Sequence, residues 1–228
     1  MTPMPARTIA IGDVQGCSKA LAALIEAVDP RPADVVVMLG DYVDRGPDSR
    51  GVLDRIIALG PRCRLVPLLG NHDQMMLEAC SGGLLPLDTI DWHEVGGLAT
   101  LDSYGPDRDI AAIPREHVDF LESCRNYHET STHFFIHANY DSDIPMDEQS
   151  VAMYRWESLK YSTPGPHESG KTAVVGHSSQ KSGEILDLGH LVCIDTYCHG
   201  GGWLTALEVH TGQAWQVDRD GKVRDRRR

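Results

Sequence analysis

Five short motifs rich in Gly, Asp, Asn and His recur along the chain. They are GDVQG (12–16), GDYVDRG (40–46), GNHD (70–73), HA (137–138) and GH (176–177). Each follows a short apolar run, so each is expected to place a polar side chain at the end of a buried strand. Carboxylate and amide oxygens mixed with imidazoles suit Mn, Fe or Zn better than Ca or Mg. The candidate metal ligands are Asp13, Gln15, Asp41, Asn71, His137 and His177.

This set of ligands is large enough for two metal ions. Six side chains with one shared carboxylate suffice for two five- or six-coordinate ions if water fills the remaining positions. Two ions about 3.5–4 Å apart lower the pKa of a bridging water and hold the attacking and leaving oxygens of an in-line displacement. One such motif alone predicts little, because Asp and His after a strand often serve a turn. Together, the five motifs predict chemistry on a phosphate ester or anhydride.

The elements that must position these motifs alternate between strand and helix in the first third of the chain. Apolar runs at 8–11, 35–39 and 65–69 predict buried strands, and residues 18–28 and 48–59 show helical periodicity. Ser18 is a candidate N-cap for the first helix, and Asp48 with Ser49 marks the start of the second. This order predicts a parallel βαβαβ unit whose strand ends form a ligand crevice at one edge.

The remaining chain shows a different pattern. Residues 81–132 contain Gly82, Gly83, Pro86 and helical fragments without clear strands, which predicts a capping insertion beside the crevice. Strands are predicted at 133–136, 172–175, 191–194, 204–209 and 214–217. Because little helix separates the last three, the pattern indicates a hairpin-rich second sheet.

Composition and charge exclude several classes of protein. The chain has 21 Lys and Arg against 33 Asp and Glu, a formal charge of −12, which argues against a general nucleic-acid binder. No apolar stretch reaches the roughly 18 residues of a spanning helix, and the first ten residues lack a secretory core, so we expect a cytoplasmic protein without membrane partners. Six scattered cysteines indicate reduced thiols and not a disulfide framework. Oligomeric state is left open.

The order and spacing of the motifs resemble the phosphoprotein phosphatase family of dinuclear metallophosphoesterases. The segment DTYCHGGGWLTAL (195–207) also resembles a late segment of that family, so the resemblance covers nearly the whole chain. It implies an α/β fold in which a central β-sandwich of two mixed sheets is flanked by helices. It further implies one domain over 1–228, with the capping helical insertion at about 81–132, and two divalent or trivalent ions. Manganese is favoured, with iron or zinc as alternatives.

The resemblance also assigns roles to individual residues. Asp41 would bridge the two ions, His72 would protonate the leaving oxygen, and Asp44 would orient the imidazole of His72. Arg45 would clamp the phosphoryl oxygens through bidentate hydrogen bonds. Arg155, in MYRWES, is the candidate for the family's second phosphate-binding arginine. An exposed ion pair with Glu148 or Glu157 is the alternative for Arg155.

The sequence departs from the family pattern at two positions. Gln15 stands where many members have a histidine ligand, and Gln also occurs there in the diadenosine tetraphosphate hydrolase branch. Asn139 follows His137-Ala138 where glycine is usual, which we expect to alter the loop and not the ligand. His199 is interpreted as a structural histidine in a glycine-rich turn, with a place in the wall of the pocket as the alternative. The segment 92–105 (WHEVGGLATLDSYG) resembles one near the catalytic face of bacterial members. Two roles are compatible with this position: selection of the substrate, or ordinary packing.

Three functions are compatible with these residues. The leading hypothesis is a Ser/Thr phosphoprotein phosphatase that hydrolyses phosphomonoesters by direct attack of a metal-bridging hydroxide. It is favoured because the second motif contains Asp44, as it does in protein phosphatases. The alternative is a symmetrical bis(5'-nucleosyl)-tetraphosphatase, which Gln15 favours. An inactive metal-binding scaffold is a third hypothesis, and the intact His72, Asp44 and Arg45 argue against it. The expected partner is accordingly a phosphoprotein, a phosphopeptide or a dinucleoside polyphosphate.

Overall fold

A five-stranded mixed sheet carries the first three motifs. The computed structural model describes residues 6–82 and 92–225. In spatial order the strands are β10 (Ala214–Val217), β9 (Leu204–Glu208), β1 (Thr8–Ile11), β2 (Val35–Met38) and β3 (Arg64–Pro67). Strands β1, β2 and β3 are parallel, as predicted, and β9 runs antiparallel to β1. The carboxyl ends of the three parallel strands therefore meet at one edge.

A second five-stranded sheet carries the last two motifs. Its order is β4 (Tyr127–Glu129), β5 (His133–Ile136), β6 (Thr172–Val175), β8 (Leu191–Cys193) and β7 (Leu186–Asp187). The inner strands β5, β6 and β8 are parallel, and the edge strands β4 and β7 are antiparallel to their neighbours. The expectation of an α/β fold with two mixed sheets flanked by helices is confirmed.

The prediction of a hairpin-rich second sheet is wrong in its connections. The β9–β10 hairpin exists, but it joins the first sheet through β1. Strands β5 and β6 are parallel because a long crossover of residues 137–171, which includes helix α6 (Val151–Arg155), links them. Sequence spacing alone did not reveal which sheet each late strand would join.

Apolar side chains fill the space on both faces of the first sheet. Ala10, Val37 and Leu39 face the second sheet and pack in one cluster with Phe135 and Val174. Their neighbours along the same strands face the opposite side and pack against the helices, in a cluster that includes Ile9, Ile11, Val36, Met38, Leu21, Leu24 and Val52. Burial on both faces explains why these strands read as uninterrupted apolar runs.

Helices α1 (Ser18–Val28), α2 (Ser49–Leu59) and α3 (Asn71–Ser81) follow the first three strands. The Asp48 side chain caps α2 by accepting from the Gly51 N–H, as predicted. Ser18 does not cap α1: the cap position is Cys17, and the Ser18 hydroxyl instead accepts from Arg55 Nε of α2 at 3.0 Å. Ser18 therefore ties two helices together.

The segment predicted as a capping insertion is helical over much of its described length. Helices α4 (Leu98–Tyr104) and α5 (Arg115–Glu122) pack against α2 and α3. The predicted range also contains strand β4, so the expectation that residues 81–132 lack strands is wrong at Tyr127–Glu129. Gly83 and Pro86 lie outside the described residues.

Candidate metal centre

The structure brings the six predicted ligands together where parallel strands of both sheets end: β1, β2 and β3 in the first sheet, β5 and β6 in the second. Asp13 and Gln15 follow β1, Asp41 follows β2, Asn71 begins α3 after β3, and His137 and His177 follow β5 and β6. All are buried except His177, which is partly exposed. Ligand atoms of Asp41, His137 and His177 lie within 4.8 Å of one another. Asn71 Oδ1 lies 3.2 Å from His137 Nε2 and 2.9 Å from His177 Nδ1.

Asp13 and Gln15 complete this cluster through contacts with its other members. The carboxylate of Asp13 accepts from the backbone N–H of His177, at 3.0 and 3.2 Å for its two oxygens. Gln15 Nε2 donates to Asp41 Oδ2 at 3.4 Å. Side chains from both sheets therefore converge on one point.

The backbone at this point adopts a conformation that is costly for residues other than glycine. Five of the eight non-glycine residues with positive φ in the described ranges are predicted site residues: Gln15, Asp41, Asp44, Arg45 and His177. Such residues cost about 1–3 kcal/mol each and persist only where surrounding bonds fix them. Here the Asp41 carbonyl accepts from both the Val14 and Gln15 N–H groups, and the Gln15 carbonyl accepts from the Gly46 N–H. Hydrogen bonds between the loops 12–16 and 40–46 therefore stabilise the conformation of both loops.

Several hydrogen-bond acceptors face one another without a donor between them. His137 Nδ1 donates to the Leu39 carbonyl at 2.7 Å, so its Nε2 lone pair faces Asp41 Oδ1 at 3.3 Å. His177 Nε2 donates to the Trp156 carbonyl, so its Nδ1 lone pair faces Asn71 Oδ1. Among the described residues, the buried Gln15 Oε1 has no hydrogen-bond partner. Facing lone pairs and an orphan carbonyl fit a bound cation, and the mixed N and O donors suit Mn, Fe or Zn.

The two buried carboxylates of this cluster, Asp13 and Asp41, have pKa values shifted in opposite directions. Burial raises the pKa of Asp13 well above its usual value, and the nearby Asp195 and Asp41 carboxylates raise it further. Burial also acts to raise the pKa of Asp41, but attraction to His137, His72 and His177 in their protonated forms and the hydrogen bond from the His72 N–H hold that pKa below its usual range. Buried carboxylates whose pKa values are shifted in this way are typical of functional sites.

Asp73 fixes the loop that carries Asp41. Its carboxylate is fully buried and accepts from the backbone N–H groups of Asp41 (2.8 Å), Tyr42 (2.9 Å) and Gly70 (3.0 Å). Burial, with a further contribution from Asp41, raises the pKa of Asp73 to about 7. Asp73 ends the GNHD motif, but its place in the sequence does not predict this supporting role.

His72 and Asp44 form a buried pair beside the ligands. His72 Nδ1 lies 2.7 Å from Asp44 Oδ2, and the carboxylate of Asp44 is fully buried. Burial tends to lower the pKa of His72, but the Asp41 charge and the bond to Asp44 raise it above its usual value. Because Nδ1 is held by Asp44, Nε2 is the nitrogen left to give a proton to a bound group.

Two residues of the helical segment hold Asp44, and sequence analysis did not assign them this role. Trp92 Nε1 donates to the Asp44 carboxylate at 2.9 and 3.1 Å, and Thr100 Oγ1 donates to its Oδ1 at 2.7 Å. Thr100 Oγ1 also accepts from the Asp44 N–H at 2.8 Å. Segment 92–105 thus contacts the site through a proposed catalytic residue, a role beyond the ordinary packing considered for Trp92.

The two predicted phosphate-binding arginines lie in different surroundings. Arg45 is exposed, and its guanidinium forms no hydrogen bond or ion pair with the described residues. Arg155 is partly buried and donates to Gln74 Oε1 at 3.0 Å and to Asn126 Oδ1 at 2.5 Å. No ion pair of Arg155 with Glu148 or Glu157 appears in residues 6–82 and 92–225. Arg155 therefore lies against α3. Its partner Gln74 is two residues from His72 along that helix.

Asn139 and His199 also have defined positions. Asn139 donates to the Ser162 carbonyl and accepts from the Tyr140 N–H, so its side chain supports the loop, in line with expectation. His199 lines a cavity together with Arg45. The interpretation of His199 as only structural was therefore incomplete.

Comparison with known proteins identifies the family. The model of the calcineurin-like phosphoesterase family matches residues 6–201, and the chain belongs to that family. It is thus a metallophosphoesterase, and its class is that of phosphoric ester hydrolases. The suspected relationship to phosphoprotein phosphatases and diadenosine tetraphosphate hydrolases is confirmed at this level.

Curated relatives share part of the sequence. The symmetrical bis(5'-nucleosyl)-tetraphosphatase of Acidovorax sp. (strain JS42) is 47% identical over 77 residues, 33% of this chain and 27% of the relative. The enzyme of the same name from Janthinobacterium sp. (strain Marseille) is 44% identical over 87 residues, 37% of this chain and 31% of the relative. The matches thus span less than a third of these relatives. Their names agree with the alternative function better than with the leading hypothesis.

Solved structures share the fold. A protein named "putative diadenosine tetraphosphatase" superposes with a TM-score of 0.70 at 23% identity, covering 94% of this chain and 95% of that one. The cold-active protein-tyrosine phosphatase of Shewanella sp. gives a TM-score of 0.60 at 18% identity, covering 97% and 80%. A Saccharomyces cerevisiae serine/threonine phosphatase gives 0.58 at 14%, covering 98% and 80%. In the part of the chain that the structure describes, no helix is long and apolar enough to cross a membrane.

Proposed function

We propose that this protein is a metal-dependent hydrolase of dinucleoside tetraphosphates that cleaves them symmetrically. Asp13, Gln15, Asp41, Asn71, His137 and His177 would hold two ions, with manganese favoured. When bound, such ions supply an activated water and neutralise charge that develops on the phosphoryl oxygens. The observation that carries the proposal is the Oε1 atom of Gln15, which is buried and has no hydrogen-bond partner among the described residues, while Nε2 of the same side chain contacts Asp41. This oxygen is available as a metal ligand. Gln15 in place of the usual histidine is therefore compatible with a working metal site.

The chain's own residues account for the remaining steps. The guanidinium of Arg45, which has no partner among the described residues, can bind two phosphoryl oxygens at once. His72, protonated at Nε2 and oriented by Asp44, donates that proton to the leaving oxygen as the bond from phosphorus to this oxygen breaks. The attacking water loses a proton to solvent as its oxygen forms the new bond to phosphorus. Symmetrical cleavage releases two nucleoside diphosphates.

A phosphoprotein phosphatase is the second candidate, and the His72–Asp44 pair favours it. The leaving group of a phosphoserine or phosphothreonine is an alkoxide, which needs a proton in the transition state. A nucleotide phosphate is a much weaker base and leaves without one more easily. The His72–Asp44 pair should therefore accelerate the cleavage of a monoester more than the cleavage of an anhydride.

Product analysis separates the two candidates. Metal-stripped protein is reloaded with Mn and assayed on diadenosine tetraphosphate, a phosphothreonine peptide and p-nitrophenyl phosphate, with His72→Asn in parallel. The proposal predicts two ADP per dinucleotide and a kcat/KM at least tenfold above that for the peptide. Preference for the peptide, with a larger loss in His72→Asn, would establish the second candidate instead. Release of ATP and AMP would contradict symmetrical cleavage.

A further inference from the structure

A surface cavity adjoins the proposed catalytic residues. It has a volume of about 310 Å³, within the range of roughly 300–1,000 Å³ that is usual for small-molecule sites. Arg45 and Gly46 of the second motif form part of its wall. Since Arg45 would bind the reacting phosphoryl group, a substrate held by Arg45 can extend into this cavity.

Three cations line the cavity and lack partners. Lys19, Arg45 and Arg219 are exposed, and the side chain of none of them forms a hydrogen bond or ion pair within residues 6–82 and 92–225. Such a group is unexpected on a chain with a formal charge of −12, in which 33 Asp and Glu outnumber 21 Lys and Arg. An unpaired cluster of cations facing one cavity raises the local concentration of anions.

The carboxylates of the same cavity do not cancel this charge. Asp48 and Asp220 are its acidic members, so three cations stand against two anions. The Asp48 side chain is engaged with the Gly51 N–H at the start of α2. Neither carboxylate forms an ion pair with Lys19, Arg45 or Arg219 among the described residues. The cations therefore keep their hydrogen-bonding capacity for a ligand.

His199 adds no positive charge to the cavity near pH 7. It lines the cavity and is partly buried. Burial lowers the pKa of His199 to about 4, and the nearby positive charges of Arg45 and His72 contribute to this lowering. The ring therefore stays neutral near pH 7, so the charge of the cavity is set by its Lys, Arg and Asp side chains.

We infer that Lys19 and Arg219 form a distal phosphate subsite that binds a non-reacting phosphate of a polyphosphate chain while Arg45 holds the reacting one. This inference rests on the proposed function, since it names the feature of the substrate that the cavity selects. A monoester of a protein side chain has no second phosphate to place there. The cations are therefore a determinant of specificity for polyphosphates.

The test compares a chain of phosphates with a single phosphate on the Mn-loaded protein. Inorganic tripolyphosphate and orthophosphate are measured as inhibitors of p-nitrophenyl phosphate hydrolysis, with free Mn held constant by a metal buffer. The variants are Lys19→Gln, Arg219→Gln and the double variant. Arg62→Gln is the matched control: this exposed arginine also lines a cavity, but it precedes β3 and so lies at the opposite edge of the sheet. Circular dichroism and Tm check that each variant is folded.

We expect the tripolyphosphate inhibition constant to rise about tenfold in each single variant and further in the double variant. This factor corresponds to the loss of one charge-assisted hydrogen bond at the lower end of its usual strength. The constant for orthophosphate should rise much less, and Arg62→Gln should behave as the wild type. The KM for diadenosine tetraphosphate should rise in parallel with the tripolyphosphate constant.

Several results would overturn the inference. A double variant with an unchanged tripolyphosphate constant would do so, as would equal losses for both inhibitors or an equal loss in Arg62→Gln. Failure of the proposed function is a separate outcome. If the wild type leaves diadenosine tetraphosphate intact but the variants still lose tripolyphosphate binding, the subsite stands and only the proposed substrate is wrong.

Discussion

Asp44 shows how one side chain depends on residues far from it in the sequence. Its carboxylate has no exposure to solvent, so its charge must be matched by hydrogen bonds. Donors come from His72, Trp92 and Thr100, which lie 28, 48 and 56 residues away. Trp92 and Thr100 of the helical segment therefore control the orientation of the proposed acid, His72, through Asp44.

Thr100→Val tests this dependence. Valine keeps the shape of threonine but removes the hydroxyl, which leaves one Asp44 oxygen short of a donor. We expect a loss of about 1–3 kcal/mol in the free energy of unfolding, which is the usual cost of an unsatisfied buried group. The kcat should also fall, and the alkaline limb of its pH profile should shift. Thr100→Ser retains the hydroxyl and should restore most of both properties; equal behaviour of the two variants would contradict the account.

Gln15→His tests whether Gln15 sets the choice of metal. An imidazole binds the later divalent metals more tightly than a neutral amide oxygen does. The variant should bind Zn at least tenfold more tightly relative to Mn, as measured by competitive metal titration. Identical affinity and selectivity in the wild type and Gln15→His would show that Gln15 is not a ligand.

At the scale of elements, much of the fold was predictable from local signals. The apolar runs and helical periods in the first third gave strands β1 to β3 and helices α1 and α2 within a residue or two. Because parallel strands end at one edge, the same signals also brought the six candidate ligands together. The clustering of the candidate ligands was thus predictable because each of them lies within four residues of the carboxyl end of a strand.

Long-range pairing was not predictable in the same way. The assignment of β9 and β10 to the first sheet depends on the β9–β1 ladder, which no local pattern encodes. Strands β4 and β7 have only three and two residues, too few for a recognisable alternation. Trp92 and Thr100 carry no motif that links them to Asp44. The supporting residues of the site therefore became visible only with the structure.

Gly96→Ala tests how closely the helical segment approaches the second motif. The Gly96 carbonyl accepts from the Arg45 N–H, and a Cβ at Gly96 would lie 2.6 Å from that nitrogen. The segment must then move away from Arg45, and misplacement of this kind costs about ten- to a hundredfold in kcat/KM. Gly105→Ala is the matched control, since Gly105 also has a positive φ but no atom within 4 Å of its Cβ. Equal losses in both variants would attribute the effect to backbone strain alone.

At the scale of the whole molecule, a buried carboxylate at the opposite end of the sheet contributes to stability. Asp34 precedes β2 and forms ion pairs with Arg7 at 2.6 Å and Arg31 at 3.0 Å. Burial alone would raise the pKa of Asp34, but the hydrogen bonds from both arginines hold it well below its usual range. Since its pKa is lower in the folded chain, its stabilisation is present above pH about 4 and is lost as pH falls further.

Asp34→Asn should therefore destabilise the protein in a pH-dependent way. We expect a loss of about 1–3 kcal/mol at pH 7, with a smaller difference from the wild type at pH 3. Urea unfolding at both pH values measures this. Asp102→Asn, which breaks an exposed ion pair with Arg108, should have a much smaller effect at either pH. A difference for Asp34→Asn that does not change between pH 7 and pH 3 would contradict the assignment.

The candidate metal centre joins the two sheets, since four of its ligands follow strands of the first sheet and two follow strands of the second. Metal binding should therefore stabilise the whole fold, by about 2.7 kcal/mol at a free concentration of one hundred times the Kd. The most direct test of a dinuclear metal centre is a crystal structure of the Mn-loaded protein with anomalous differences recorded at the Mn edge. Two anomalous peaks among Asp13, Gln15, Asp41, Asn71, His137 and His177 are the predicted result. One peak, none, or peaks held by other residues would contradict the account.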